Sequence, residues 1–359
     1  MEVCPELSPI RYGLLAYKAR VPPMRLVEKI RNRIETSPNA ALLFSTLGRL
    51  PFYQAFVAHR TQERIAYVEQ QRCYSLMIEL SSICNARCVF CPYSEMKREK
   101  RLMGDELFNI VLRRLQEEQI RPPLIDLFDI GEPLLDRDLC NRVRKLKAIF
   151  PSSATRITTN FSVANEARIE EILDCGLDSI HISLNASSPA TYEKLMGLHY
   201  DKTKKNLERL LRRRDAIRSP LKVMLSMVLY KDNAREAPEF VKTWEKNVDS
   251  ICIQRAIDWG GLVDVGQPYP PGMRVYPCND LFERIVILSN GEIALCCQDH
   301  EGMIGLNVRE KPILDIFRSR VFRSFRDKHL GGEPGSMRIC ANCFAIHSNG
   351  ANWMFKKFD

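Results

Sequence analysis

From residue 74 onward the chain alternates between short apolar runs and longer amphipathic stretches. The runs at 76–80, 124–130, 156–159, 179–184, 221–229 and 250–254 are rich in Ile, Leu and Val and have strand length. Between them, 105–119, 137–150, 165–175, 191–196, 202–217 and 237–246 set apolar residues three to four apart among charges, the helical period. Strand–helix alternation of this kind predicts parallel strands joined by right-handed crossovers. Six units rather than the eight of a closed barrel predict the α/β class: a partial (β/α)6 TIM-like barrel over residues 75–260.

The flanks read differently. Helical periodicity over 25–34 and 51–69 makes residues 1–74 a helical N-terminal extension, placed to cover one end of the barrel. Alternation over 284–297 around Asn290–Gly291 predicts a β-hairpin with a type I′ turn. Short helices follow at 313–319 and 320–329, then a Gly331–Gly332 break before Cys340–Ala341–Asn342–Cys343. Residues 261–347 thus form a small C-terminal β-hairpin/helix domain, and the 348–359 tail carries no readable signal.

Composition adds three constraints. No run of roughly 18 uncharged apolar residues exists, so no membrane span is expected. The first residues lack the order of a signal peptide, and 13 cysteines then point to metal ligation in a reducing, cytoplasmic setting rather than to disulfides. The net charge of +9 is spread through mixed-charge stretches such as Arg212–Arg213–Arg214–Asp215, the pattern of a solvated face rather than of a nucleic-acid surface.

Chemistry concentrates in two cysteine sets. Cys84, Cys88 and Cys91 stand at CxxxCxxC spacing directly after the first strand. Three thiolates so close can hold one corner of a 4Fe–4S cube and leave the fourth iron open. Cys278, Cys296, Cys340 and Cys343 form the second set, which suits either a structural zinc or a fully ligated second 4Fe–4S cluster. Iron–sulfur is the favoured reading beside an open first cluster, and Cys297, next to Cys296 on a strand, should face the other way. Barrel active sites lie at the carboxyl ends of the strands, where the first cysteine loop and Gly131–Glu132–Pro133 both emerge. Alternation turns Ile180, Ile182 and Leu184 toward the helices and leaves His181, Ser183 and Asn185 for the lumen. By the same rule Ile251 and Ile253 face outward, while Ser250, Cys252 and Gln254 face in. His181 lies deeper and reads as a core histidine.

The three-cysteine motif with Phe90 before its last cysteine resembles the radical SAM superfamily. The resemblance implies that Cys84, Cys88 and Cys91 bind a 4Fe–4S cluster whose open iron takes S-adenosylmethionine. It further implies that Phe90 lies against the adenine and that Gly131, Glu132 and Pro133 hold the methionine amino group. Asn160, Ser183, Asn185 and Gln254 fall where the remaining cofactor contacts are expected. Asp129–Ile130 departs from the family pattern, which commonly has another glycine before Gly131. Residues 276–343 resemble the shortened auxiliary domain called twitch, which implies one further 4Fe–4S cluster on Cys278, Cys296, Cys340 and Cys343. An electron donor such as flavodoxin or ferredoxin is implied as partner.

Within the superfamily the chain looks similar to dehydrogenases of aminocyclitols, so the expected substrate is a small polar sugar or aminocyclitol. Oxidation of its carbinol carbon to a ketone would use the auxiliary cluster as electron acceptor. The position where those dehydrogenases carry an arginine reads Trp259 here, before Gly260–Gly261, with Asp258 and Arg255 as possible substitutes. Radical epimerisation is the alternative, with Cys252 or Cys297 returning a hydrogen atom. Radical modification of a peptide, and a non-enzymatic zinc-binding protein, are the other readings.

Overall fold

The computed structural model describes residues 62–63, 65–265, 278, 280–341 and 343, and the backbone of 353–357. The expected helix at 25–34 and most of that at 51–69 lie outside the described residues; 65–71 are helical. Six strands follow in order: β1 Ser75–Ile78, β2 Leu124–Asp126, β3 Ala154–Thr159, β4 Ser179–Ser183, β5 Lys222–Leu229 and β6 Ser250–Arg255. Each pairs in parallel with the next. The helices between them are α1 Asp105–Glu117, α2 Leu139–Ile149, α3 Glu166–Asp174, α4 Pro189–Met196, α5 Tyr200–Ala216 and α6 Ala237–Trp244. Their boundaries are set locally: Asn165 and Ser188 cap the starts of α3 and α4, and Gly197 ends α4 at φ +65°.

The outward face of the sheet is largely apolar, with Thr155 and Thr159 its polar members on β3. Ile78, Ile125, Ile157, Ile180, Ile182, Val223 and Leu225 are fully buried beneath the helices. The inward face is polar or mixed, as the alternation predicts. Hydrogen-bond register aligns Val286, Met77, Asp126, Arg156 and Ser179 across it in one row. Asp126 and Arg156 pair there through Nε–Oδ1 at 2.5 Å, and Arg284 approaches the same carboxylate at 3.8 Å. This ion network closes the lower end of the lumen.

Two features differ from expectation at the sheet edges. The C-terminal hairpin is not a separate sheet: β7, Arg284–Ile287, pairs in parallel with β1, and β8, Ile293–Ala294, pairs antiparallel with β7. At the opposite edge the tail supplies β9, Trp353–Lys357, antiparallel to β6. The sheet therefore runs β8-β7-β1-β2-β3-β4-β5-β6-β9 and stays open. The tail's sequence gives little sign of this, because an edge strand is defined by the backbone groups it pairs with rather than by a pattern of its own.

The hairpin turn also differs. Gly291 N donates to Leu288 O at 2.8 Å, and Leu288 N donates to Glu292 O at 2.9 Å, so residues 289–291 form a three-residue loop. Gly291 has φ +91°, while Asn290 is not among the left-handed residues, which rules out type I′ and fits a type I turn with a glycine bulge. The reason lies in Ser289. Its N–H donates to Glu79 Oε2 at 2.9 Å and its hydroxyl meets Ser82 Oγ at 3.1 Å, which draws the loop onto the end of β1. The C-terminal domain continues with α7 Asp280–Glu283, α8 Ile313–Phe317, α9 Arg320–Leu330 and α10 Arg338–Ala341.

Candidate active site and auxiliary cysteine site

The loop leaving β1 is held on three sides. Arg87 N and Val89 N donate to Met196 O and Leu195 O, both at 2.9 Å, which ties it to the end of α4. Cys84 N donates to Tyr93 Oη at 2.9 Å. Asn85 exchanges bonds with the turn after β3: Asn160 Nδ2 donates to its Oδ1 at 3.0 Å, and its Nδ2 donates to Ser162 Oγ at 2.8 Å. Burial raises the pKa of all three thiols, Cys84 to about 11 and Cys91 to about 12, and the thiols lie close enough that Cys84 and Cys91 raise Cys88 further and Cys84 raises Cys91. Free thiols in this setting stay protonated. Only a bound metal centre would hold them as thiolates.

Gly131 explains its own identity. A Cβ at this position would lie 1.9 Å from Ser81 O and 2.9 Å from Ser82 Cα. The loops leaving β1 and β2 therefore meet backbone to backbone, and Glu132 N donates to Ile83 O at 2.8 Å. The Glu132 carboxylate is 1% exposed and accepts from Leu134 N, Thr159 Oγ1 and Asn160 N at 2.9, 2.6 and 2.7 Å. A carboxylate can accept about four hydrogen bonds, so one lone pair is left for a cationic amine. Burial raises its pKa to about 7.

The other expected cofactor contacts are spread around the mouth. Phe90 is buried against Tyr230, ring centroids 6.4 Å apart. Ser183 Oγ lies 3.2 Å from Ser226 Oγ, and Cys252 is aligned with Ser226 on the same face. Asn185 adopts φ 55° with its side chain turned inward, its Oδ1 accepting from Val228 N at 2.8 Å. Gln254 is half-buried near the end of β6; Arg255 ends that strand, but its side chain lies outside the described set. Asp258 Oδ1 accepts from Gly260 N at 3.2 Å. Trp259 Nε1 donates to Phe90 O at 3.1 Å, and its ring meets His300 edge-on at 6.3 Å. Trp259 thus braces the cysteine loop against the C-terminal domain.

Two groups here escaped sequence reasoning. Arg98, just past the cysteine loop, grips Glu79 with two bonds of 2.8 Å and donates to His300 O and Ser289 Oγ. Glu301 accepts from Lys97 N and Arg98 N at 2.8 and 3.0 Å, so the same segment clamps the hairpin domain. Asp129 lies among Glu79, Arg98, Asp299 and Arg284, within electrostatic reach of both Cys91 and Cys297. Its buried Oδ2 has no hydrogen-bond partner among the described residues. Burial, then the charge of Glu79, raises its pKa well above the carboxylate range. The only sequence signal was the departure of Asp129–Ile130 from the family pattern before Gly131.

In the second set, Cys278, Cys340 and Cys343 pack together with Met337, and Cys296 is within electrostatic reach of Cys278 and Cys343. Cys297 turns away, its Sγ 3.4 Å from Asp280 Oδ2, and packs against Met77, Val286 and Leu288. Soft thiols in sets of three and four are the donor set of iron–sulfur chemistry. Among the described residues no three His, Cys, Asp or Glu side chains converge tightly on one point as a single ion requires. A cube, being larger, spaces its thiolates more widely.

An open parallel barrel with a three-cysteine loop at its mouth and a second cysteine site beside it is the arrangement that a resemblance to radical SAM enzymes with an auxiliary iron–sulfur domain implies. Residues 78–243 match the radical SAM superfamily model and 278–344 match that of an iron–sulfur cluster-binding domain. Residues 78–243 thus carry a radical SAM domain, and the two matched domains imply S-adenosylmethionine and 4Fe–4S clusters as cofactors. It is 24% identical to the S-adenosyl-L-methionine-dependent 2-deoxy-scyllo-inosamine dehydrogenase of Niallia circulans, over 74% of this chain and 90% of the relative. A GTP 3′,8-cyclase of Streptomyces coelicolor is 30% identical over 46% of this chain and 48% of its own. Among solved structures, BtrN with AdoMet and 2-DOIA aligns with a TM-score of 0.55 at 20% identity, covering 79% of this chain and 98% of that one. SuiB of Streptococcus suis with its precursor peptide SuiA gives 0.57 at 17% identity, covering 80% and 74%. At these identities the structures attest the fold. Among the described residues, no helix is long and apolar enough to cross a membrane.

Proposed function

We propose that the enzyme oxidises a carbinol carbon of a small polar substrate, a sugar or aminocyclitol, to a ketone. The observation that carries this reading is the placement of Asp129, whose buried Oδ2 has no hydrogen-bond partner among the described residues and which lies within electrostatic reach of Cys91 and Cys297. In this reading Cys84, Cys88 and Cys91 hold the mouth cluster, and Cys278, Cys296, Cys340 and Cys343 hold the auxiliary one. Phe90, Gly131, Glu132, Pro133, Asn160, Ser183, Asn185 and Gln254 form the S-adenosylmethionine site. When bound, these groups supply a 5′-deoxyadenosyl radical for hydrogen abstraction and an acceptor for the electron left on the substrate carbon. The remaining requirement is a proton acceptor for the hydroxyl.

Asp129 answers that requirement. It lies near Cys91 and Cys297, its raised pKa makes it a stronger base than an ordinary carboxylate, and the fold gives its Oδ2 no other partner among the described residues. Oxidation would balance in this arrangement: one hydrogen atom would leave the carbon, Asp129 would take the proton, and a cluster held by Cys278, Cys296, Cys340 and Cys343 would supply the one-electron acceptor. Likeness to the aminocyclitol dehydrogenase over nine-tenths of that relative supports the substrate class. An electron donor such as flavodoxin or ferredoxin completes the cycle.

Epimerisation is kept as a second reading by one observation. Burial raises the Cys252 pKa to about 12, so its thiol keeps the S–H that a hydrogen-atom donor needs. Incubation with an aminocyclitol in deuterated water separates the two. A product lighter by two hydrogens supports oxidation; a product of retained composition with deuterium fixed on one carbon overturns it and favours epimerisation.

A further inference from the structure

His329, at the last turn of α9, is 1% exposed and lies inside the auxiliary site rather than beside it. Its Nδ1 accepts from Cys278 N–H at 3.1 Å. A backbone amide can only donate, so Nδ1 carries the lone pair, and the proton of a neutral imidazole must then sit on Nε2. Nε2 lies 3.4 Å from Cys340 Sγ. An imidazolium would set an Nδ1–H against the Cys278 N–H, so the contact itself selects the neutral ring. The helix that carries the ring is pinned one turn earlier. Arg326 Nε donates to Leu281 O at 2.8 Å, and its guanidinium stacks 4.1 Å above Phe317. The ring is therefore fixed in place, in tautomer and in direction.

We propose that His329 donates a hydrogen bond from Nε2 to the thiolate of Cys340 and thereby raises the reduction potential of the auxiliary cluster. The inference rests on the reading that Cys278, Cys296, Cys340 and Cys343 hold that cluster. Reduction adds charge that spreads onto the sulfurs, so a donor aimed at one of them stabilises the reduced state more than the oxidised one. A higher potential makes the cluster a readier acceptor for the electron released in carbinol oxidation. His329 touches neither substrate nor cofactor. It is a positioning and tuning residue.

The two bonds can be separated by substitution in the full-length, anaerobically reconstituted enzyme. In His329→Gln the amide nitrogen reaches the Nε2 position and keeps the donor to Cys340. In His329→Asn the amide oxygen reaches the Nδ1 position and keeps only the acceptor for Cys278. Redox titration followed by electron paramagnetic resonance reads the auxiliary potential, with the mouth cluster as internal reference. We expect His329→Asn to shift the auxiliary potential to more negative values and His329→Gln to stay near wild type. Equal potentials in all three proteins overturn the proposal, and so does loss of the cluster from His329→Gln alone, which would make the Cys278 contact the essential one. Cys340→Ala checks the ligand reading separately. Loss of about four irons supports it, and unchanged iron content overturns it.

Discussion

Asp129 and Glu132 sit three residues apart in one loop, and the fold treats them oppositely. Glu132 receives three donors, whereas Asp129 Oδ2 receives none among the described residues. An unsatisfied buried polar group costs about 1–3 kcal/mol, so Asp129→Asn should raise stability by about that amount at alkaline pH while abolishing substrate oxidation. The sign follows from linkage. A carboxyl whose folded-state pKa is raised stabilises the fold below its unfolded pKa, and that contribution is lost as pH rises through the folded value. Thermal unfolding against pH should show this decline in wild type and a flatter profile in Asp129→Asn; equal profiles would remove Asp129 from the account. At Gly131, an added Cβ would meet Ser81 O, which belongs to backbone and cannot turn aside. Gly131→Ala should separate the two loops and reduce S-adenosylmethionine cleavage by about 10²-fold, as misplacement near 1 Å can. Unaltered cleavage would detach this loop from the chemistry. Gly131 was legible through its motif, but Asp129 only as a departure from one, because burial without a partner is a property of the fold.

At the scale of elements, the strands and helices were legible where periodicity is strong. The six barrel strands and their helices lie within a few residues of the predicted positions. What the sequence hid were contacts between distant parts: the β1–β7 pairing, the three-residue turn, and the clamp formed by Arg98 and Glu301. Each depends on which surface the C-terminal domain meets, and local pattern does not encode that. The clamp is open to a direct test. The Arg98 and Glu79 side chains are 4% and 0% exposed, so Arg98→Met leaves a buried carboxylate without its cation. Stability should fall by about 3–5 kcal/mol, and adding Glu79→Gln should recover part of the loss. Denaturant unfolding that shows additive losses would mean the pair does not hold these elements together.

At the scale of the molecule, one mouth serves both cysteine sites. The hairpin that carries Cys296 extends the sheet from β1, whose exit loop carries Cys84, Cys88 and Cys91. Trp259 and Arg98 fasten the two regions across the rim. Asp129 lies within electrostatic reach of Cys91 in the exit loop and of Cys297, the neighbour of Cys296, in the hairpin. The three-cysteine loop is expected to support reductive cleavage of S-adenosylmethionine. Quantifying 5′-deoxyadenosine after anaerobic reconstitution and reduction tests it most directly. Wild type should carry about eight irons per chain and release 5′-deoxyadenosine, while Cys88→Ala should release none. Zinc in place of iron and sulfide, or equal release by Cys88→Ala, would contradict the account.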